Sequence, residues 1–429
     1  MTRTIAYVRN QMQGQEPPPV SQIGAIRWMH ENLFSGPLNS ILTILSVLCV
    51  GWIAQHIGPW FLNAVWNADS LAECRQILQG ETGACFGVIK DRWHQLLYGF
   101  YPQDSYWRPN LAAALLLVAL APLLFPDVPR KLIWFSLLYP AVGFFLLWGG
   151  SIWPPLVALA GLAVGFAAYA ALIKTSSLAA TIAAIIVPIL WWLFVSGPLG
   201  DALAQATPGL GLRSIGSDEF GGFMLSIIIG VTGIALSLPL GILLALGRKS
   251  DLLLVKVICV GFIEFIRGVP LITLLFTASL LLNYFLPPGS NFDIILRVII
   301  MVTLFAAAYM AEVIRGGLAA LPRGQYEAAD ALGLDYWKAQ QLIIMPQALK
   351  ISIPGIVGTF IGLFKDTTLV VFIGLLDPIG LSSAIRADTD WNGIYWELFL
   401  FIGALFFIFC FSMSRYSMYL EKKLKTDHR

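Results

Sequence analysis

Apolar runs of membrane length recur along this chain, parted by short polar turns. Ten can be marked: Leu38–Leu62, Leu111–Phe125, Leu132–Trp148, Leu156–Ile173, Leu178–Val195, Gly222–Leu246, Leu252–Leu282, Ile294–Gly316, Ile353–Leu376 and Ile394–Met413. A helix needs about 20 apolar residues to cross the hydrocarbon core. The second run is short and carries Pro122. Only Lys174, Thr175, Ser176 and Ser177 part the fourth from the fifth. The pattern predicts an all-α, polytopic membrane protein of about ten transmembrane helices.

Charge orients these spans. Lys and Arg concentrate in short cytoplasmic loops. Arg130 and Lys131, Lys174, Arg248 and Lys249, the stretch from Arg323 to Lys350, and the tail with Arg415, Lys422, Lys423, Lys425 and Arg429 fall on one side. Both termini are then inside. Residues 1–37 are polar, with Arg3, Arg9, Arg27 and the run Pro17–Pro19. They contain no apolar stretch of the kind that begins a cleaved signal peptide, and read as a cytoplasmic tail. The loop from about 65 to 110 falls outside. Its Arg75, Lys90, Arg92 and Arg108 oppose the rule, but five acids accompany them, and long loops weigh less in topology.

Composition agrees. The chain is 58% hydrophobic and 12% charged, against about 25% charged in soluble domains. Mean hydropathy is +0.76. The 14 Trp suit interfacial belts. A net charge of +2 without a basic block gives no sign of a nucleic-acid partner. The four His are scattered, and no metal-ligand spacing or G-x-S-x-G nucleophile elbow occurs. Nor does a GxxxxGK[ST] phosphate loop. No catalytic residue is assigned. Cys49, Cys259 and Cys410 lie in apolar runs. Cys74 and Cys85 share the outer loop, and either a disulfide or two free thiols is open to them.

The polar motifs lie in the second half. Glu327 to Pro346 reads EAADALGLDYWKAQQLIIMP, too polar and too Gly-punctuated for lipid. Pro322 suits the start of a first short helix. Gly333 suits a turn of positive φ. Asp335 suits the N-cap of a second helix, and Pro346 is expected to end its regular hydrogen bonding. Small Ala328 and Ala329 would let a partner surface approach, with Glu327 as a fixed charge on it. Earlier, Glu264 and Arg267 stand i,i+3 before Gly268 and Pro270, which are expected to break the seventh span. An acid and a base at membrane depth are costly unless paired or wetted. A structural ion pair and a pathway role are both open. Glu312 and Arg315 repeat the spacing before Gly316 and Gly317. Lys365, Asp366, Thr367 and Thr368 interrupt the ninth span as a polar gate, a substrate contact or an internally satisfied cluster.

Glu327, Ala328, Ala329, Gly333, Ile343 and Pro346 resemble, in register, the EAA loop of type I ABC importer permeases. Met345 replaces the usual Leu, a volume-conserving exchange. The runs around Glu264–Leu271, Ala308–Gly317 and Lys365–Thr368 resemble further motifs of the polar amino-acid branch, in the family's order. The resemblance covers about Ser214 to Tyr419, and length and extra spans liken the whole to the long permeases of general L-amino acid or glutamate/glutamine/aspartate/asparagine importers. It implies a cytoplasmic tail (1–37), five additional spans (38–210) and a five-span permease core (211–429) whose coupling loop covers about 321–350. It also implies a bacterial inner-membrane subunit. Its partners would be a second homologous permease, ABC ATPase subunits that hold ATP and Mg, and a periplasmic amino-acid-binding protein; its substrate would be an L-amino acid. Glu264, Arg267, Glu312, Lys365, Asp366, Thr367 and Thr368 are the candidate pathway or gate residues. A proton-coupled secondary transporter, using Glu264, Glu312 and Asp366, is the alternative of another class.

Overall fold

A computed structural model of the protein describes residues 24–281 and 293–424. The tail residues before Gly24, Leu282, Lys425, His428 and Arg429 lie outside the described residues. Among the described residues nine helices are long and apolar enough to cross a membrane, or ten if one bent pair counts as a span. Two compact units divide after Gly87.

In the first unit the span Pro37–Leu62 runs into a small outer fold. Ser70 caps the helix Leu71–Leu78 by accepting the Glu73 amide, as Ser does where a helix starts without partners. Cys74 and Cys85 are joined as a disulfide, with Cα atoms 6.0 Å apart. Val65 bridges to Cys85, and Trp60, Phe61, Trp66 and Phe86 pack as an aromatic cluster around that bridge.

The second unit, from Val88, holds spans two to ten. The boundary near Gly211, drawn from motifs, is not a packing boundary here: spans two and three share a core with spans six, eight and nine. Tyr101, Ala112, Leu146 and Leu147 pack with Ile215, Phe220, Leu225, Ile295, Val302, Leu363 and Val370. A second apolar cluster (Ala245, Ile263, Met310, Ile314, Leu318, Ile344 and Ala348) joins the inner halves of the same core helices. The two-residue strands Gly150–Ser151 and Gly211–Leu212 pair antiparallel, Gly150 opposite Leu212, and tie the turn after span three to the entrance of span six.

Five boundaries differ from the sequence reading, span ten among them, since its helix runs on past Met413 to Leu424. Span two is helical from Trp107, not Leu111. Arg108 is thereby carried inside, 2% exposed. It is tolerated because Nε donates to the Leu146 carbonyl at 2.6 Å, Nη1 to that of Arg213 at 2.9 Å and Nη2 to that of Leu147 at 3.3 Å. Span five continues past Val195 to Ala206 through a wider turn at Trp191–Val195. The indole N–H groups of Trp191 and Trp192 there donate to the Val157 and Ala158 carbonyls. Span seven is two helices, Leu253–Gly268 and Leu271–Phe276, bent by 104° at Val269 and Pro270. Span nine is helical from Tyr336, well before Ile353. Pro346 does not end it: a π-turn at Gln340–Ile344 places Pro346 in the first turn of Met345–Asp366. A missing amide hydrogen costs little at that position.

At the outer face the unit is stitched by backbone. Gly99 bridges to Phe220, Gly221 bridges to Leu376, and the Gly222 amide donates to the Leu376 carbonyl at 2.8 Å. Gly222 has φ +60, and a Cβ there would sit 2.5 Å from the Leu96 carbonyl oxygen. The helix Gly87–Tyr98 is also pinned to the loop before span ten. Arg92 donates to Asp388 at 2.9 Å, and the Trp391 indole donates to Asp91 at 2.8 Å.

Candidate functional site

From Pro322 to Pro346 the chain is one short helix, a break at Gly333 and the inner turns of span nine. The short helix is Arg323–Ala331, preceded by Pro322. Gly333 has φ +67, a conformation that glycine adopts without a Cβ clash. Asp335 caps the first of those turns, Tyr336–Ala339, by accepting the Lys338 amide at 3.0 Å. That amide, and the Lys338 side chain next to it, hold the Asp335 carboxyl below its ordinary range.

The loop is anchored on its inner side and bare on the other. Gln347 Nε2 donates to Gln325 Oε1 at 2.9 Å, binding the short helix to the base of span nine. Ala329 is 1% exposed and packs inward, so only Ala328 of the alanine pair can meet a partner. Glu327, Ala328, Gly333 and Pro346 are exposed, and Ile343 is half-buried. Large apolar side chains are exposed beside them: Leu332, Tyr336, Trp337 and Leu342, at 53–72%. Together these side chains give the loop's outer side an apolar character that its polar sequence neighbours lack.

Directly behind the loop, five charged side chains from three spans meet. Glu312 is the centre and is 16% exposed. It accepts from Arg248 Nη1 at 2.5 Å and from Arg315 Nε at 2.9 Å. Arg248 Nη1 also donates to Glu264 at 2.9 Å. Arg267 stands 3.9 Å from Glu312 and 4.0 Å from Glu264, and its guanidinium lies 5.5 Å from the Tyr309 ring. Spans six, seven and eight are thus locked at their inner ends, and span eight leads straight into the loop. Neighbouring Lys249 feels the cluster: burial, and then the Arg315 charge, push its ammonium below its ordinary range.

The i,i+3 spacing pairs Glu264 with Arg267 and Glu312 with Arg315 along their own helices. The second pair forms at 2.9 Å, but the first stands at 4.0 Å, and both acids share a short contact with Arg248, which the sequence marks only as a topology signal. The signal available was its place as the last residue of span six, on the same membrane face as both acids.

Lys365, Asp366, Thr367 and Thr368 are not part of this cluster. They lie further along span nine, where the helix Met345–Asp366 tightens into a 3₁₀ turn, Thr367–Ile373. Span nine passes the level of Glu312 near Ser352 and Gly355, which pack against Val313, so Lys365 stands about ten residues, or about 15 Å, beyond it. Thr367 is fully buried and donates to the Phe364 carbonyl at 2.8 Å, and Thr368 donates to that of Lys365 at 2.9 Å. Both hydroxyls are therefore satisfied within the turn. Lys365 is exposed and Asp366 half-buried, and neither forms an ion pair among the described residues.

The chain is similar to known membrane transport proteins. Residues 237–426 match the family described as binding-protein-dependent transport system inner membrane component. The glutamate/glutamine/aspartate/asparagine transport system permease protein BztC of Rhodobacter capsulatus is 62% identical over 99% of both chains. The inner membrane amino-acid ABC transporter permease protein YhdY of Escherichia coli K12 is 40% identical over 94% of both. The glutamate/aspartate import permease protein GltK of Escherichia coli O6:H1 is 31% identical, covering 91% of its own length and 47% of this chain.

Proposed function

The chain belongs to the family of amino-acid ABC importer permeases, and we propose that the loop Pro322–Pro346 is where a separate ATPase drives it. It is a multi-pass subunit of the bacterial inner membrane whose role is to let an amino acid cross, and permeases of this family are not themselves enzymes. ATP and Mg belong to the ATPase partner.

The observation that carries the reading is the loop's two-sided build. Outward it offers Glu327, Ala328, Leu332, Trp337 and Leu342 to a partner. Inward it is continuous with spans eight and nine, and it is braced by the Glu312 cluster. A push on the outer side therefore reaches three spans at once. In the cycle we propose, ATP closes the ATPase dimer and draws the loop inward. The core then opens outward to a loaded periplasmic binding protein, and returns after hydrolysis to release the amino acid inside. Only contacts that differ between the two states can carry such coupling. A second homologous permease would complete the pathway, and Lys365 and Asp366 are the candidate gate along it. The identity with BztC supports acidic amino acids and their amides as substrates.

Of the three acids that the proton-coupled alternative uses, Glu264 and Glu312 are both paired with arginines, and Asp366 is not. The test is Glu327→Lys in the full complex, in vesicles. Membrane insertion is expected to persist while ATP-driven uptake and ATPase co-purification are lost. Normal uptake by that variant refutes the coupling role.

A further inference from the structure

We propose that the inner turn between spans two and three, together with the inner end of span ten, forms a seat for the phosphate headgroup of an anionic phospholipid. The two elements are nearly 300 residues apart in sequence and are held side by side. The Tyr416 hydroxyl donates to the Leu124 carbonyl, and the Tyr416 ring meets Phe125 edge-on at 5.9 Å. Lys423 Nζ reaches Asp127 at 3.4 Å and the Tyr419 hydroxyl at 3.1 Å.

Around this junction the charge does not balance. Arg130 and Lys131 follow the turn, and Arg415, Lys422 and Lys423 lie on the last turns of span ten; all five are exposed. Two acids oppose them. Asp127 is taken by Lys423, and Glu421 accepts from the Ser417 hydroxyl at 3.3 Å. Arg130, Lys131, Arg415 and Lys422 form no ion pair among the described residues.

Helical spacing arranges the rest. Tyr416 and Lys423 stand i,i+7 on the stripe that touches the turn, and Arg415 and Lys422 stand i,i+7 on the stripe beside it. Phe125 and Tyr419, each 43% exposed, lie at the same level and suit the glycerol and upper acyl region. Cations gathered between spans on the cytoplasmic side, next to aromatic groups, match the chemistry of an anionic headgroup. The turn comes from outside the matched region 237–426, so the additional spans supply half of the seat.

The experiment counts lipid bound to the full-length chain in its purified complex, by native mass spectrometry in a neutral detergent. Phosphatidylglycerol is titrated against phosphatidylcholine. The wild type is expected to retain phosphatidylglycerol selectively. The triple variant Lys131→Gln, Arg415→Gln, Lys422→Gln is expected to weaken it about 100-fold, at roughly five-fold per cation near the surface. An equal charge removed from other inner positions (Arg27→Gln, Lys174→Gln, Lys256→Gln) is expected to leave binding within a few-fold of wild type. Should the triple variant fail to fold, Lys131→Gln and Lys422→Gln singly are each expected to cost about five-fold. The proposal is overturned if both triple variants lose lipid equally, since only a diffuse positive field would then be acting. Unchanged binding by the seat variant also overturns it. So does displacement of the lipid by inorganic phosphate at millimolar concentration, which would mark a soluble-anion site.

Discussion

Removing the carboxylate of Glu312, as Glu312→Gln, tests whether the inner ends of spans six, seven and eight are held by charge. Gln keeps the shape and loses the negative end of two short contacts, to Arg248 at 2.5 Å and to Arg315 at 2.9 Å. Hydrogen bonds to charged groups contribute about 1.5–3 kcal/mol each. Arg315 is 43% exposed and its share is cut by solvent. The net loss is then about 3 kcal/mol, at the lower edge of the cost of removing one partner from a buried pair. Glu264→Gln is the internal control. Its side chain is 52% exposed and has one short contact, to Arg248 at 2.9 Å, so about 1 kcal/mol or less is expected. Reversible unfolding of the purified chain in mixed micelles reads both variants on one scale. Equal effects from the two substitutions, or none from Glu312→Gln, would refute the assignment of Glu312 as the centre of the lock.

Three further outcomes are expected. Gly317→Ala places a Cβ 2.5 Å from the backbone oxygen of Ala348; spans eight and nine must separate where they enter the loop, at about 1–3 kcal/mol, seen as a lower midpoint in the same unfolding assay. Asp377, at the outer face, accepts the amides of Ile379 and Gly380, but burial raises its carboxyl to about 6 from 3.8. The folded state thus holds the extra proton between these values, so its contribution to stability is full below about 4 and fades as pH rises through 6; Asp377→Asn should flatten that slope, and an unchanged profile would discount it. Replacing Cys74 and Cys85 by Ser frees an outer loop whose cysteines are 11 residues apart, worth about 3 kcal/mol by chain entropy; faster proteolysis within 65–87 is the expected sign, with spans two to ten still intact.

The span pattern was legible because a bilayer imposes length and polarity directly. The loop Pro322–Pro346 was legible because its breakers are local: Pro322, Gly333 and Asp335 act through their own backbone positions, and the structure puts each at the point its chemistry favours. What local chemistry could not reveal was compensation. Pro346 reads as a stop, yet a π-turn just before it absorbs the missing amide. Arg108 reads as an outer-loop residue, yet three carbonyl oxygens far along the chain let it enter a helix. Ala329 reads as part of a bare surface, yet it packs inward against the protein's own spans. The Glu312 cluster was half legible, because i,i+3 spacing shows contacts within a helix and is blind to those between helices. The arginine that matters most to it, Arg248, comes from a third span.

The buried guanidinium of Arg108 also sets where this protein can be cut. It terminates the carbonyl-rich end of span three and holds the strand leading into span six, and both depend on it for hydrogen-bond donors. A gene fragment that began at Gly211, as the motif boundary invites, would inherit Phe220 without Tyr101 and Trp148 beside it, and Trp391 without the Asp91 carboxylate. Such a minimal permease would expose aromatic surface to lipid and leave its outer lip unpaired. Separate expression of the two halves is therefore expected to succeed only when both are made in the same cell.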